Sequence, residues 1–203
     1  EGICGSGLID LVAELYLARL IDFRGKFRAV PEPRSAAQQK FLRQRLVSDP
    51  AGTRFIVVPV AESAHGQAVV LTQTDLDALM RSKAAMYTIL ETITRYVGIA
   101  FADISKFYVA GAFGSLIRPR SAISIGMIPD LPDEKFEALG NSSLKGAALA
   151  LTSREAYDRI EGIRSRVTYL ELNVNQEFMN RFSAAKFLPH TNPSLFPSVK
   201  QVI

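Results

Sequence analysis

Two glycine-rich turns and one isolated lysine are the residues of this sequence best suited to hold a ligand. Lys106 to Ala110 has strand character and runs into Gly111-Ala112-Phe113-Gly114-Ser115, and Lys135 to Leu139 runs in the same way into Gly140-Asn141-Ser142-Ser143. Glycine at the carboxyl end of a strand lets the backbone approach a ligand closely and exposes amide groups at the mouth of an open α/β sheet, where such folds take their ligands. Phe113 can wall a planar ring or plug a core. A tight turn with no ligand is the alternative reading of the first motif. In the second, Asn and Ser at a helix start can cap free N–H groups, and the same donors can hold an anion instead. Gly5 and Gly7 raise that choice again, with close helix packing as the simpler reading.

Lys83 falls in the apolar stripe of a long helical pattern, one turn from Leu79 and Tyr87, and no carboxylate stands three or four positions away to pair with it. A charge on a buried face needs a partner from elsewhere. A ribose or phosphate would serve, and snorkelling to solvent is the competing outcome. Asp10 and Glu14 lie one helical turn apart, but with no nucleophile or metal ligand nearby they read as exposed helix charges. His65 and His190 sit in loop-like surroundings and receive no catalytic role. Cys4 is the one cysteine, so this chain alone builds neither an intrachain disulfide nor a thiolate-held zinc or iron–sulfur site. That usage fits a reducing, cytoplasmic setting.

The elements that position these residues alternate between helix and strand. Leu8, Leu11, Val12, Leu15, Tyr16 and Leu20 recur at helical spacing, with Ser6 placed to cap the first turn. Phe55 to Ala61 and Val69 to Leu71 read as short strands joined by a hairpin at Gly66. Leu76, Leu79, Met80, Met86, Tyr87, Leu90, Ile93 and Val97 mark one face of a long helix ending at Gly98. The two strand-to-glycine units then predict adjacent parallel strands joined by a crossover. A small-residue helix over Leu144 to Leu151 follows, then a helix opened by the Thr152/Glu155 capping-box spacing, a strand over Val167 to Leu172, and a last helix capped by Asn175. The expected class is α/β. The segment from Phe187 through Pro197 reads as an irregular tail.

Composition bounds the function. With 203 residues, 48% hydrophobic and 22% charged, the chain can bury a core and does not read as disordered. No apolar run approaches the ~18 residues of a membrane span, so no membrane association is expected. The net charge of +4 is concentrated between Arg24 and Arg54, where Lys and Arg outnumber Glu32 and Asp49. This stretch, about 24–54, reads as a solvated surface insertion or as a docking patch for an acidic partner. It lacks the interleaved aromatics of a nucleic-acid surface, so no nucleic-acid partner is expected. The opening Glu1-Gly2-Ile3-Cys4-Gly5 already lies inside a glycine-rich turn and reads as a piece of something longer.

Taken in order, Glu1 to Asp10, the helix from Leu71-Thr72-Gln73-Thr74-Asp75 to Ser82-Lys83-Ala84-Ala85, Val109 to Ser115, Ile125-Gly126-Met127-Ile128-Pro129-Asp130, Leu139-Gly140-Asn141 and Phe187-Leu188-Pro189-His190 resemble the C-terminal domain of reductive activators of corrinoid proteins. That family belongs to the acetate-and-sugar-kinase, heat-shock chaperone and actin (ASKHA) superfamily. The resemblance runs along nearly all of residues 1–203, apart from the basic insertion. It implies an actin-like, ribonuclease H-like ATPase lobe, a mixed sheet flanked by helices that forms the second half of a two-lobed domain. The turn Gly111, Ala112, Phe113, Gly114 and Ser115 matches the superfamily's adenosine motif, in which a second glycine is more usual at the position of Ala112. Lys83 falls where the long helix approaches the ribose, and Gly140 and Asn141 fall at the second connecting segment of the hinge. ATP with Mg is the implied ligand, with the phosphate loops and Mg ligands upstream of Glu1. The iron–sulfur cluster is implied for an N-terminal ferredoxin-like part, again upstream.

The implied activity is reduction of inactive cob(II)alamin in a corrinoid protein, driven by ATP binding or hydrolysis, and the family also suggests a homodimer. A small-molecule kinase lobe of the same superfamily and a non-catalytic partner-binding module are the alternative functions.

Overall fold

The computed structural model describes residues 2–28, 35–50, 52–111, 114–172 and 174–199. Helix α1, Gly5–Leu17, starts one residue earlier than its expected cap: Cys4 is the N-cap, its Sγ accepting the Gly7 N–H at 3.4 Å, while Ser6 is buried inside the first turn. Val12, Leu15 and Tyr16 of the expected stripe are buried, joined by Ile9, while Leu8 and Leu11 are only partly buried.

The described part of the basic stretch contains regular structure. Ser35 and Gln38 close a capping box on helix α2, Ala36–Arg45, in which no residue is buried. The chain then enters β1, Leu46–Asp49, which pairs antiparallel with β2, Gly52–Val58; β2 pairs antiparallel with β3, Val69–Thr72. The order β1-β2-β3 makes a small sheet, and Phe55 and Leu71 are the residues it sends into the core.

Thr72 ends β3 and caps helix α3, Gln73–Tyr96, through a capping box with Asp75. Of the predicted stripe, Leu76, Leu79, Met80 and Tyr87 are buried, whereas Met86, Ile93 and Val97 are exposed and Thr88 and Thr92 turn inward. Helix α3 ends before Gly98, whose φ of +76° supplies the left-handed residue expected there.

Strand β4, Phe107–Ala110, is followed by the short helix α4, Pro119–Ser124, and by β5, Phe136–Gly140. β4 and β5 are parallel, with Phe107 opposite Phe136 and Ala110 opposite Gly140. The crossover expected from the sequence is therefore present, and it delivers both glycine turns to the same end of the ladder. The class is α/β, with strands divided between a three-stranded antiparallel and a two-stranded parallel sheet among the described residues.

Helices α5, Ser142–Thr152, α6, Arg154–Arg164, and α7, Gln176–Ala185, complete the regular structure. Ser153, not Thr152, caps α6, and Asn175 caps α7 as expected. Val167 to Leu172 forms no strand; its alternating pattern has no neighbouring strand edge to complete a ladder, and Val167 and Tyr169 are exposed.

The core joins α1, α3, residues 121–127 and the segment 185–199. That last segment, expected to be an irregular tail, is a strap anchored by a few buried residues: Leu188 and Phe196 are 2% and 1% exposed, while 191–195 stay exposed. Helices α5 and α6 bury no residue. Among the described residues no helix is long and apolar enough to cross a membrane.

Candidate functional site

The two glycine turns meet. The Gly111 N–H donates to the Gly140 carbonyl at 2.7 Å, and both glycines have left-handed backbone, with φ of +95° and +66°. Among the described residues, a Cβ placed on either would find no heavy atom within 4 Å, so they leave the space over both open. Open α/β folds seat ligands beyond the carboxyl ends of their strands, and Gly111 and Gly140 stand at that end of β4 and β5. Gly111 also accepts the Ser115 backbone N–H and the Ser115 hydroxyl, each at 3.1 Å, which closes the turn on itself. Ala112 and Phe113 lie outside the described residues.

Gly114 plays a different part from Gly111. It is buried, and a Cβ there would stand 2.7 Å from Val109 Cγ1, so its bareness lets the turn fold onto β4. Asn141 acts as a helix cap, its side-chain oxygen accepting the Leu144 N–H at 3.0 Å at the start of α5. The sequence reading passed over Lys145, whose ammonium donates to the Leu139 carbonyl at 2.9 Å and ties α5 to the end of β5. Its signal was a single cation in an otherwise small and apolar helix, five positions beyond Gly140.

Lys83 takes neither of its expected partners. It is 0% exposed, which removes snorkelling, and its ammonium donates to the carbonyls of Phe187 and, at 2.8 Å, of Pro189. The partner from elsewhere is thus the carboxyl-terminal strap, not a nucleotide, and this corrects the assignment of Lys83 to a ribose. Burial pushes the ammonium from 10.5 down to about 7. The strap is held at other points too: the Tyr16 hydroxyl donates to the Leu188 carbonyl at 2.8 Å, and Leu188 N–H donates to Phe23 at 2.8 Å. Gly126, at φ +71°, lies so close that a Cβ would come within 1.9 Å of the Pro189 oxygen. His190 packs its ring 5.5 Å from that of Tyr87 and accepts the Asn192 N–H on Nδ1. Burial, and secondarily the charge of Lys83, push it down to about 4. The motif from Phe187 to His190 is therefore a packing device.

Asp10 is not a free helix charge. Arg118, the N-cap of α4, places Nη2 2.7 Å from its carboxylate and joins α1 to α4. Against partial burial, hydrogen bonds from Arg118 and Ser121 hold the Asp10 carboxyl below its usual range. Glu14 and His65 are exposed. Among the described residues no three His, Cys, Asp or Glu side chains gather as metal ligands, and Cys4, the chain's one cysteine, provides no donor set for an iron–sulfur cluster. A separate cleft of about 730 Å³ lies between the end of α3 and the strap, lined by Tyr87, Glu91, Arg95, Phe101, Asp130 and Pro197 among others. Its acids are already engaged, Glu91 by Arg95 and Asp130 by Ser198.

Comparison with known proteins matches this chain to one group. A family model described as the C-terminal domain of RACo, the ASKHA domain, matches residues 1–200. The corrinoid activation enzyme RamQ of Eubacterium limosum is 30% identical over 183 residues, which cover 90% of this chain and 30% of RamQ. A solved structure of a reductive activator for a corrinoid, iron–sulfur protein superposes with a TM-score of 0.85 at 39% identity, over 98% of this chain and 30% of that one. The chain spans about 30% of the length of each of these relatives.

Proposed function

This chain belongs to the family of C-terminal ASKHA domains of corrinoid-protein reductive activators, and from that membership we propose that it holds the adenosine end of ATP within an activator that returns inactive cob(II)alamin to its reduced form. The observation that carries the proposal is the hydrogen bond from Gly111 to Gly140, which joins two left-handed turns under open space. Gly111 to Ser115 and Gly140 with Asn141 form the nucleoside face. Lys83 is left out of it, because its ammonium is committed to the strap.

The residues fit a nucleotide in a specific way. Bare Cα positions at 111 and 140 let a flat base approach the backbone without meeting a side chain. The start of α5 adds the favourable end of a helix dipole for any negative group nearby. Mg and the phosphate-binding loops belong to a preceding lobe, as does the cluster-bearing ferredoxin-like part; no step in this chain runs through either.

That preceding lobe also answers a packing problem. A two-stranded parallel sheet is not a stable unit by itself, and parallel sheets are normally covered on both faces. Here Tyr108, Leu144, Leu149, Leu151, Ile160 and Ile163 stand exposed on β4, α5 and α6. The second lobe covers this side in the full-length polypeptide, and the nucleotide sits between the two. Differential affinity of ATP for the open and closed arrangements supplies the energy for coupling, and inverting a 1:99 population requires about 5.5 kcal/mol of it. The corrinoid protein is the partner and the cytoplasm the setting.

Mg-ATP added to the full-length polypeptide raises its melting temperature in proportion to occupancy, since a ligand that binds only the folded state stabilises it. No shift at millimolar nucleotide rejects the nucleotide role.

A further inference from the structure

Arg24, Arg81 and Lys186 converge on one surface depression of about 490 Å³, together with Asp77 and Phe187. They come from three separate parts of the chain: the turn after α1, the third turn of α3 and the residue that ends α7. Asp77 is the one acid lining it, and it is spent. Lys26 holds both its oxygens, at 2.9 and 3.1 Å, and the Gln73 amide donates to it at 2.8 Å. Against partial burial, these contacts keep the Asp77 carboxyl below its usual range. Among the described residues Arg81 makes no hydrogen bond or ion pair, and the side chains of Arg24 and Lys186 reach only aromatic faces: Arg24 lies 5.3 Å over Phe23 and Lys186 5.8 Å over Phe182. Arg81 also acts on Asp77 through its charge, but three exposed cations around one concavity outnumber that single acid, and an oxyanion entering it relieves their mutual repulsion.

The floor and rim indicate what kind of oxyanion. Phe23 and Phe187 stack at 5.7 Å with an interplanar angle of 19°, and Phe23 is 44% exposed beside the cations. Small-ligand sites bury most of their ligand, whereas all three cations here are exposed. Arginine beside an exposed aromatic is the composition of a protein-docking surface. We propose that this depression receives an acidic segment of the corrinoid protein, with partner carboxylates between Arg24, Arg81 and Lys186 and an apolar partner side chain on Phe23. The proposal rests on the corrinoid-partner reading and adds the place of contact.

The test measures association of the full-length polypeptide with its purified corrinoid protein at low and high salt, comparing the unaltered protein with Arg24→Glu/Arg81→Glu and, separately, with Lys186→Glu. Rim charges act mainly on association rate and salt dependence, so the double variant associates about tenfold more slowly with a flatter salt dependence, while its ATP-induced melting shift is unchanged. A complex that forms equally fast in both variants overturns the docking surface and leaves the proposed function standing. Failure of the unaltered protein to form any complex rejects the corrinoid partner and this surface together. Displacement of the corrinoid protein by a single-stranded oligonucleotide shows a general polyanion site and overturns the assignment.

Discussion

The Lys83 ammonium donates to the Pro189 carbonyl at 2.8 Å, across 106 positions of sequence and with no exposed surface of its own. Phe187 offers it a second carbonyl. Lys83→Met fills the stem volume but strands two buried acceptors, each costing about 1–3 kcal/mol, partly offset because no charge is then desolvated. The expected loss is about 2 kcal/mol of stability in urea denaturation, with the ATP-induced melting shift retained. Loss of that shift in a variant that still folds would return Lys83 to the nucleotide site.

The same burial gives a pH dependence with a definite sign. Between the folded value of about 7 and the free value of 10.5, the unfolded chain carries a proton that the folded chain does not. Stability therefore rises with pH across that window, by up to about 1.4 kcal/mol per unit. His190, pushed from 6.5 down to about 4, acts in the same direction at lower pH: stability present above 6.5 is lost as pH falls toward 4. Tyr87, whose hydroxyl burial pushes up from 10.0, opposes the trend above pH 10. Subtracting Lys83→Met from the unaltered protein isolates the lysine; a difference that stays flat from pH 7 to 9 contradicts this account.

Gly126→Ala is expected to cost about 3 kcal/mol or more. The new methyl meets a backbone oxygen at 1.9 Å, at a φ of +71° that L residues rarely adopt. Calorimetry reads this as a lower melting temperature. An unchanged value would mean that the strap can move aside freely.

At Gly140 the space is open, so chemistry and sterics can be separated. Asn and Asp both tolerate left-handed backbone. Gly140→Asn is expected to keep measurable ATP affinity, whereas Gly140→Asp places a carboxylate beside a polyanionic ligand and weakens binding at least about tenfold relative to Asn. Equal affinities for the two variants, measured by calorimetric titration, would put the nucleotide elsewhere.

Leu151 is 89% exposed, and a leucine standing alone in water tolerates replacement within about 0.5 kcal/mol. In the full-length polypeptide Leu151→Asp is expected to cost about 2 kcal/mol under the proposal that a second lobe packs on α5. A neutral result there argues against that lobe packing on α5.

What could be read from the sequence follows how local each signal is. Helix α3 and the two strand-to-glycine units were legible because period and turn residues act within a few positions. The caps at Cys4 and Ser153 were missed by one or two residues, since several neighbouring polar side chains can accept the same N–H. Helix α2 and strand β1 were hidden by charge: α2 buries nothing, so no apolar stripe marks it. Val167 to Leu172 carries strand character without a ladder, a property of its neighbours and not of itself. For Lys83 the sequence posed the right question, where its charge is paired, but the answer lay in carbonyls that no side-chain pattern announces.

Three successive carbonyls of the strap, those of Phe187, Leu188 and Pro189, are gripped by Lys83 from α3 and Tyr16 from α1. Sliding either helix past the other would leave buried oxygens dry and unbonded, so α1, α3 and the strap must travel as a single block. Any opening of the proposed nucleotide cleft therefore has to carry these three elements together.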